Sequence, residues 1–443
     1  MQMSFADFIL QHEADDPVGL LLARDRYPDI DLDLAVTTLE VRRRLKTKVP
    51  EWYAVPSLVY PSRLSGEQCS SSETARYKAL LVSVLWREGV PPQTVAPRPL
   101  PPQAAGPSLL CGRGWPQVSD GTHSRLRVAD LTGGMGVDTW AFAQVAGAVL
   151  YNEMQEGLAR ATELNFRELG VKKVAFRSRM VEAGKVAEVL DGFRPDVIYL
   201  DPARRAGDGR KVFLIEECQP DVLGLLPELF AASRFVLLKL SPMADITMAC
   251  KRLGEHVKEV HVVASGGECK ELLFLLDREW SGGYSLTAYE NGHTLSWTPE
   301  EEASAPPVFP ESPALSGVLF EPGKALLKAG AFNLPCERFG LTKLGQHTHL
   351  YARESVPDGL RPFGKGFDIL EVMPLGNRTM KEAGKRWPQA EVTARNVPMT
   401  SDLLRRKLGC ASGGDIHLFG VRIDTASGSA NYLIVTKKRY GTD

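Results

Sequence analysis

Short apolar runs alternate with helical patterns between residues 127 and 277, and this alternation constrains the fold more than any other feature of the chain. Such alternation is typical of a parallel α/β sheet. A seventh apolar run, residues 269–277, follows the sixth after only the turn SGGE, residues 265–268. A turn that short cannot cross over a sheet, so the seventh strand must run antiparallel to its neighbour. The six parallel strands are expected at residues 127–131, 148–153, 173–177, 196–201, 235–240 and 257–264.

The flanking sequence divides the chain of 443 residues into further parts. Residues 1–90 have a mostly helical pattern, and residues 91–122 are proline-rich, which predicts an exposed insertion. The α/β core extends over residues 123–297 and ends with a hairpin around Asn291 and Gly292. A second linker is expected at residues 298–316. Residues 317–443 show the alternation of a small α+β ferredoxin-like domain.

Charge and cysteine content limit the functional classes. The net charge is −1, so a nucleic-acid partner would have to bind local basic patches. Seven scattered cysteines without a CxxC pair suit reduced thiols and a cytoplasmic location. The start of the chain lacks a basic signal region, and no apolar run reaches membrane-spanning length, so no membrane association is expected. His347 and His349 lack a third ligand, so no metal is expected.

The motif DLTGGMGVD, residues 130–138, predicts a glycine loop between a strand and a helix. Such a loop can hold a dinucleotide phosphate or the carboxylate of S-adenosylmethionine (SAM). Glu153 ends the second strand, where a carboxylate accepts hydrogen bonds from ribose hydroxyls, and both cofactor classes share this feature. The DxxGGxG spacing, the antiparallel seventh strand and the following DPAR motif, residues 201–204, together favour SAM.

The DPAR motif should lie beside the cofactor, because ligands bind at the carboxyl ends of parallel strands. It resembles the DPP(Y/F) motif of nucleic-acid amino methyltransferases, with Arg204 in place of the aromatic ring. Asp201 would orient the nucleophile or act as a base, and Arg204 could stack on a base or bind a phosphate. A turn with two solvated arginines is the structural alternative. A covalent route is disfavoured, because KLSPMAD, residues 239–245, has a serine where carbon-methylating RNA enzymes have cysteine; Cys269 could only be a substitute.

Long motifs along the chain resemble bacterial class I SAM-dependent methyltransferases that carry a C-terminal THUMP-like domain. The resemblance rests on residues 67–78, 130–138, 199–205, 239–246, 268–273, 320–330, 347–351, 392–398 and 413–419. It implies a Rossmann-like class I methyltransferase core with a helical N-terminal domain and a C-terminal RNA-binding module. RNA, with tRNA as the first candidate, is the substrate that the resemblance implies. The alternatives are a methyltransferase of a protein or small molecule and a non-catalytic factor that binds SAM and RNA.

The resemblance also implies roles for individual residues. Asp201 and Pro202 would face the methyl group, and Glu153 would bind the ribose. The chain departs from its relatives after the third strand, where FRSRMV, residues 176–181, has no carboxylate for the adenine amine, so Ser178 or the backbone would take that role. The remaining cofactor-lining candidates are Asp130, Thr132, Gly133, Gly134, Gly136 and Asp138, with Ser71, Thr74 and Lys78 folding over from the N-terminal side.

Basic clusters could add an RNA-facing surface. One comprises Arg42, Arg43, Arg44, Lys46 and Lys48, and others lie at residues 405–407 and 437–439. A charge run is more often a solvated helix face. Two clusters on either side of an α/β core nevertheless favour an RNA partner.

Overall fold

A computed structural model describes residues 3–89, 125–204 and 214–440, without the side chains of residues 86–89 and 204. The predicted insertion at residues 91–122 lies outside the described residues. The chain divides into two compact units. The first contains the described residues up to 259 together with 272–283, and the second contains 260–271 and 284–440.

The N-terminal part of the first unit is helical, as the sequence predicts. Its helices are α1 (Phe5–Gln11), α2 (Pro17–Leu22), α3 (Leu32–Lys48), α4 (Pro50–Tyr53), α5 (Arg63–Gln68) and α6 (Ser72–Gly89), with a 3₁₀ turn at Arg24–Arg26. The side chain of Asp31 caps α3 by accepting a hydrogen bond from the backbone N–H of Leu34. Residues of α1, α2 and α3, including Phe8, Leu20 and Leu39, form a small buried core.

A predominantly parallel sheet follows. Its strands and those beside it are β1 (Arg127–Asp130), β2 (Ala148–Asn152), β3 (Val174–Arg177), β4 (Val197–Leu200), β5 (Ala203–Arg204), β6 (Cys218–Gln219), β7 (Phe235–Leu240), β8 (Val257–Ser265) and β9 (Glu268–Asp277). The sheet order from one edge is β3-β2-β1-β4-β7-β9-β8. The pairs β1–β2, β2–β3, β1–β4 and β4–β7 are parallel, and β9 is antiparallel to β7. The predicted strand set and the antiparallel seventh strand are therefore confirmed. The short pair β5–β6 lies outside this sheet and was not predicted.

Helices connect these strands. They are α7 (Val137–Val145), α8 (Glu156–Glu168), α9 (Val186–Leu190), α10 (Val222–Ala232) and α11 (Ile246–Leu253), with a 3₁₀ turn at Ile215–Glu217. The N-terminal helices pack directly on α7 and α8. The fully buried ring of Trp52 meets those of Trp140 and Phe166 edge-on at centroid distances of 6.1 and 6.2 Å. Edge-to-face pairs of buried aromatic rings are favourable.

The second unit contains a two-stranded hairpin and, after it in the chain, the C-terminal sheet. Its elements are β10 (Ser285–Glu290), β11 (His293–Trp297), α12 (Pro299–Ser304), β12 (Val318–Pro322), α13 (Lys324–Ala329), α14 (Leu334–Phe339), β13 (Thr342–Lys343), β14 (Tyr351–Arg353), β15 (Gly364–Pro374), α15 (Asn377–Arg386), β16 (Glu391–Arg395), α16 (Ser401–Leu408), β17 (Ile416–Thr425) and β18 (Gly428–Tyr440), with a 3₁₀ turn at Arg361–Phe363. The strand order is β13-β14-β12-β15-β18-β17-β16. Asn291 and Gly292 both have positive φ and form the predicted β10–β11 turn. Helix α12, with a Thr298–Glu301 capping box, forms within the residues expected to be a linker.

A buried ion pair joins α6 to α7. The ammonium of Lys78 lies 3.1 Å from a carboxylate oxygen of Asp138, and the Lys78 side chain is fully buried. Replacing Lys78 with Met would leave the Asp138 charge buried without this cation, which costs about 3–5 kcal/mol. We therefore expect K78M to lower the free energy of unfolding by that amount in a urea titration.

The double variant K78M/D138N should recover part of this loss, because it removes both charges. Lys185→Met removes an exposed ion pair with Glu182 and should leave the urea midpoint unchanged. Equal effects of K78M and K185M would contradict a stabilising role for the buried pair.

A close approach of α15 and α16 depends on a glycine. A Cβ atom on Gly384 would lie 1.7 Å from the carbonyl oxygen of Leu408. Gly384→Ala should therefore force the two helices apart and destabilise this region by about 3 kcal/mol. Gly376→Ala is the matched control, since its Cβ would meet only the Thr379 hydroxyl at 3.9 Å. Thermal unfolding of the full chain should separate the two variants, and equal Tm values would contradict this packing.

Candidate cofactor and acceptor site

A pocket opens at the carboxyl ends of β1, β2 and β4. It lies within the first unit, where the strand order changes direction between β1 and β4. Open α/β sheets bind ligands at such a point. The lining residues are Ser65, Gln68, Cys69, Ser70, Leu131, Thr132, Gly133, Gly134, Met135, Gly136, Val137, Asp138, Asn152, Glu153, Met154, Gln155, Leu158, Arg179, Met180, Val181, Asp201, Ala203, Gln219 and Pro220.

The glycine loop forms one wall, and each glycine has a separate reason to be there. A Cβ on Gly133 would lie 2.2 Å from the ring of Tyr151. Gly136 has φ +87°, and its Cβ would meet Thr162 at 2.6 Å. Gly134 has φ +52°, but its Cβ would meet nothing within 4 Å. Gly133 and Gly136 therefore serve packing, while Gly134 leaves its side of the loop open to a ligand.

Glu153 follows β2 and supports the loop from the opposite side. One carboxylate oxygen accepts a hydrogen bond from the Gly134 N–H at 3.0 Å, and the other accepts one from the Gln155 N–H at 2.9 Å. The residue is almost completely buried. Because each carboxylate oxygen can accept two hydrogen bonds, Glu153 keeps acceptor capacity for hydroxyl groups in the pocket.

Asp138, in the first turn of α7, is one of the carboxyl groups that line the pocket. Burial opposes its ionisation, but the cations Lys78 and Lys239 and the hydroxyl of Tyr199 outweigh that effect and lower its pKa. Tyr199 and Ser70 donate to the same carboxylate oxygen at 2.8 and 2.9 Å. Asp138 therefore presents a fixed negative charge to the pocket.

Asp130 lies beneath the loop, outside the set of lining residues. Its carboxyl group accepts hydrogen bonds from the Thr139 hydroxyl at 2.5 Å and the Thr132 N–H at 3.2 Å. Burial nevertheless raises its pKa to about 8. At neutral pH the group is largely protonated, so it shapes the loop without adding charge to the pocket.

The DPAR motif borders the pocket beyond β4. The Asp201 carboxylate pairs with the Lys239 ammonium at 2.6 Å, and the Asp201 N–H donates to the Thr132 hydroxyl at 2.6 Å. Pro202 is buried beside it, and the side chain of Arg204 lies outside the described part of the chain. Lys239 belongs to the motif KLSPMAD, residues 239–245, from which no role for this lysine was predicted.

The N-terminal contribution differs in detail from the candidates named by resemblance. Ser65, Gln68, Cys69 and Ser70 line the pocket. Ser71 and Thr74 do not; the Ser71 hydroxyl accepts from the Thr74 N–H at 3.2 Å at the start of α6. Lys78 does not line the pocket; its ammonium pairs with Asp138, which does. The polar motif of residues 67–78 thus contributes Gln68, Cys69 and Ser70 to the lining, and only the folded chain shows which side chains face inward.

The remaining wall is mainly apolar. It is formed by Met154, Leu158, Met180 and Val181, of which Met154 and Met180 are half exposed. Ser178 lies outside the lining set. Its neighbour Arg179 bonds to Asn152 through its backbone, with an N–H to amide oxygen distance of 3.0 Å. This wall offers apolar contacts of the kind that an aromatic ring can use.

The basic run on α3 serves the helical region. Arg42 is 2% exposed and donates to the carbonyl oxygens of Tyr53 and Val55. Arg43 donates to carbonyl oxygens of the α1–α2 connection, and the Lys48 ammonium donates to the Glu67 carbonyl. The prediction that this run forms an RNA-facing patch is therefore wrong for Arg42, whose guanidinium donates hydrogen bonds to backbone carbonyl oxygens inside the fold.

Among the described residues, no helix is long and apolar enough to cross a membrane. Within residues 3–89, 125–204 and 214–440, no three His, Cys, Asp or Glu side chains are grouped so as to hold a metal ion.

The fold and the site together define a class I methyltransferase fold joined to a THUMP-like module. Residues 319–358 match a ferredoxin-like domain family, and residues 364–438 match a THUMP domain-like family. The chain is similar over 99% of its length to a presumed methyltransferase from Porphyromonas gingivalis W83, with 29% identity, 98% coverage of that chain and a TM-score of 0.78. The resemblance drawn from the motifs is confirmed.

Other solved structures overlap only part of the chain. An rRNA methylase from Streptococcus thermophilus shares 14% identity over 35% of this chain and 88% of that chain, with a TM-score of 0.26. Cofactor-bound Rv0187 from MTB shares 14% identity over 54% of this chain and 90% of that chain, with a TM-score of 0.32. Likeness at this level bears on neither substrate nor mechanism. No curated protein matches the chain in sequence.

The raised pKa of Asp130 predicts a specific pH dependence of stability. In the unfolded chain the group ionises near pH 4, whereas in the folded chain it keeps its proton up to about pH 8. Between these values the folded state binds more protons, so this group's contribution falls by at most about 1.4 kcal/mol per pH unit as pH rises.

Asp130→Asn removes that titration and retains the shape of the side chain. The free energy of unfolding of the unmodified protein, relative to that of D130N, should therefore decrease between pH 5 and pH 8 in urea titrations. Parallel pH curves for the two proteins would show that Asp130 is ionised in the folded state.

Proposed function

We propose that this protein is a SAM-dependent methyltransferase that modifies a nucleotide in RNA, with tRNA as the first candidate. The observation that carries the proposal is the joint position of Glu153 and Asp201 in one pocket, on either side of the glycine loop. Such a pocket offers a hydroxyl-binding carboxylate at one end and a carboxylate for an acceptor at the other. The full-length likeness to a presumed methyltransferase supports the same conclusion.

The residues of the pocket fit SAM part by part. Gly134 permits close approach of a ligand to the backbone, and Glu153 can accept hydrogen bonds from both ribose hydroxyls. The fixed negative charge of Asp138 suits the ammonium group of the methionine portion. Met154, Leu158 and Met180 offer apolar contact to adenine. When bound, SAM supplies a methyl group activated by its sulfonium.

The protein's own contribution to the reaction is alignment. Methyl transfer requires the nucleophile to meet the methyl carbon in line at about 3 Å, in a site from which water is excluded. Asp201 stands at the pocket edge, held by Lys239 and Thr132. It would orient the acceptor by accepting its hydrogen bond and would then take up the proton that the acceptor loses.

The second unit supports RNA as the substrate. Its α15 and α16 carry solvent-exposed cations on neighbouring surfaces, and these outnumber the acids Glu382 and Asp402 of the same helices. Lys and Arg clusters bind nucleic acid by displacing counterions from phosphates. The exposed cations are Arg378, Lys381, Lys385, Arg386, Arg406 and Lys407.

Labelling with tritiated SAM tests the proposal. The protein should transfer label to one RNA pool, tRNA being expected, when incubated with tRNA, rRNA and protein from a strain that lacks it. Asp201→Asn should lower the rate of labelling about 10²-fold or more, because the acceptor loses its ionised partner. Calorimetry should show the Kd for SAM unchanged within about twofold.

Glu188→Gln, an exposed change outside the pocket lining, is the matched control and should label normally. Label in the protein pool would show that the substrate is a protein and not RNA. SAM binding without label in any pool would favour a non-catalytic binding factor. Loss of SAM binding in D201N would show that Asp201 belongs to the cofactor site and not to the acceptor site.

A further inference from the structure

We propose that Lys239 is a positioning residue that holds Asp201 as a charged, correctly oriented acceptor, and that the methyl acceptor is therefore a nitrogen bearing hydrogen on a nucleobase. This inference rests on the proposed methyltransferase function and specifies its acceptor. Lys239 does not line the pocket itself; it stands behind Asp201, which does.

The geometry fixes the Asp201 side chain from two sides. β4 lies between β7 and β1 in the sheet, so the residues that end these strands meet around the end of β4. From β7, Lys239 donates to one carboxylate oxygen of Asp201 at 2.6 Å. From the loop after β1, the Thr132 hydroxyl accepts from the Asp201 N–H at 2.6 Å. Backbone and carboxylate are thus anchored by different strands.

Exposure differs between the two partners of the pair. The Lys239 side chain is 12% exposed, whereas that of Asp201 is 36% exposed. The cation is enclosed, and the carboxylate reaches the pocket. A partly enclosed ammonium acts on its partner through less solvent than a surface pair does. Lys239 therefore acts on a ligand through Asp201.

Several other charged or titratable groups face this pair. Lys239 also lowers the pKa of Asp138 and counters the burial that raises the pKa of the Cys69 thiol. Asp201 in turn contributes to raising the pKa of Asp130. Lys239 therefore faces two carboxyl groups, those of Asp201 and Asp138. A carboxylate accepts hydrogen bonds and protons but cannot donate them.

That chemistry selects the acceptor. A nitrogen attacks with its own lone pair: the N–C bond forms to the methyl carbon, and the C–S bond breaks with its electron pair remaining on sulfur. The nitrogen then carries a positive charge and loses its proton to the Asp201 carboxylate. A ribose hydroxyl is far less acidic, and a carboxylate is too weak a base to ionise it.

Carbon methylation of a pyrimidine would need a cysteine thiolate as covalent nucleophile. Cys69 lines the pocket, but burial raises the pKa of its thiol. Cys218, which pairs with Arg204 in the β5–β6 ladder, is fully buried. Neither is a thiolate facing the pocket, so a nitrogen acceptor agrees best with the described residues.

Lys239→Met tests the role of the lysine, with Lys239→Arg retaining the charge and Lys185→Met as an exposed control. At pH 7, K239M should label RNA about 10- to 100-fold more slowly than the unmodified protein, with the Kd for SAM changed less than about threefold. The loss should appear in kcat rather than in the KM for RNA, because Lys239 positions Asp201 and does not itself line the pocket. K239R should restore the rate at least partly.

A labelling rate in K239M equal to that of K185M would overturn the role of Lys239 while leaving the methyltransferase function intact. Loss of SAM binding in both K239M and K239R would make Lys239 a cofactor residue and would also overturn it. No label from the unmodified protein would instead refute the proposed function, and this inference with it.

Mass spectrometry of nucleosides from the labelled RNA tests the acceptor. We expect the methyl group on a base nitrogen. A methyl group on ribose oxygen or on a pyrimidine carbon would overturn the nitrogen assignment.

Discussion

The buried ion pair between Lys78 and Asp138 is the interaction on which the pocket depends. Removing two charges from water is costly, and the pair persists because Ser70 and Tyr199 also donate to Asp138. Lys78 and Ser70 belong to the helical region, whereas Asp138 and Tyr199 belong to the α/β core. The pair therefore joins the two parts at the point where residues 65–70 close the pocket.

Three aspartates near the pocket show how their surroundings separate their roles. Asp138 has the enclosed cation Lys78 and remains ionised despite its burial. Asp201 has Lys239 and stays in contact with the pocket. Asp130 is surrounded by neutral hydrogen-bond donors, and its pKa rises to about 8. Because burial disfavours the charged form of a carboxyl group, nearby lysines distinguish Asp138 from Asp130. Asp138 and Asp201, each paired with a lysine, line the pocket, and Asp130 does not.

The parts of the fold that the sequence predicted are those encoded by local patterns. The strands, the antiparallel β9 and the Asn291–Gly292 turn follow from periodicity and from turn length. Which side chains of residues 65–70 line the pocket could not be predicted, because the motif of residues 67–78 does not show which of its side chains face inward. The burial of Arg42 was missed for a related reason. Its partners are the carbonyl oxygens of Tyr53 and Val55. Because every residue has a backbone carbonyl, the sequence does not identify such partners.

Lys239 shows where a motif stops being informative. It was visible in KLSPMAD, yet its role depends on β7 lying beside β4, a consequence of a sheet order that does not follow the chain order. The same order places Thr132, after β1, on the other side of β4. Asp201 thus receives a cation from one neighbouring strand and a backbone anchor from the other. At a position where the strand order changes direction, loops from both halves of the sheet converge on one ligand. That convergence brings the glycine loop and the DPAR motif to one pocket, although they are more than sixty residues apart in the chain.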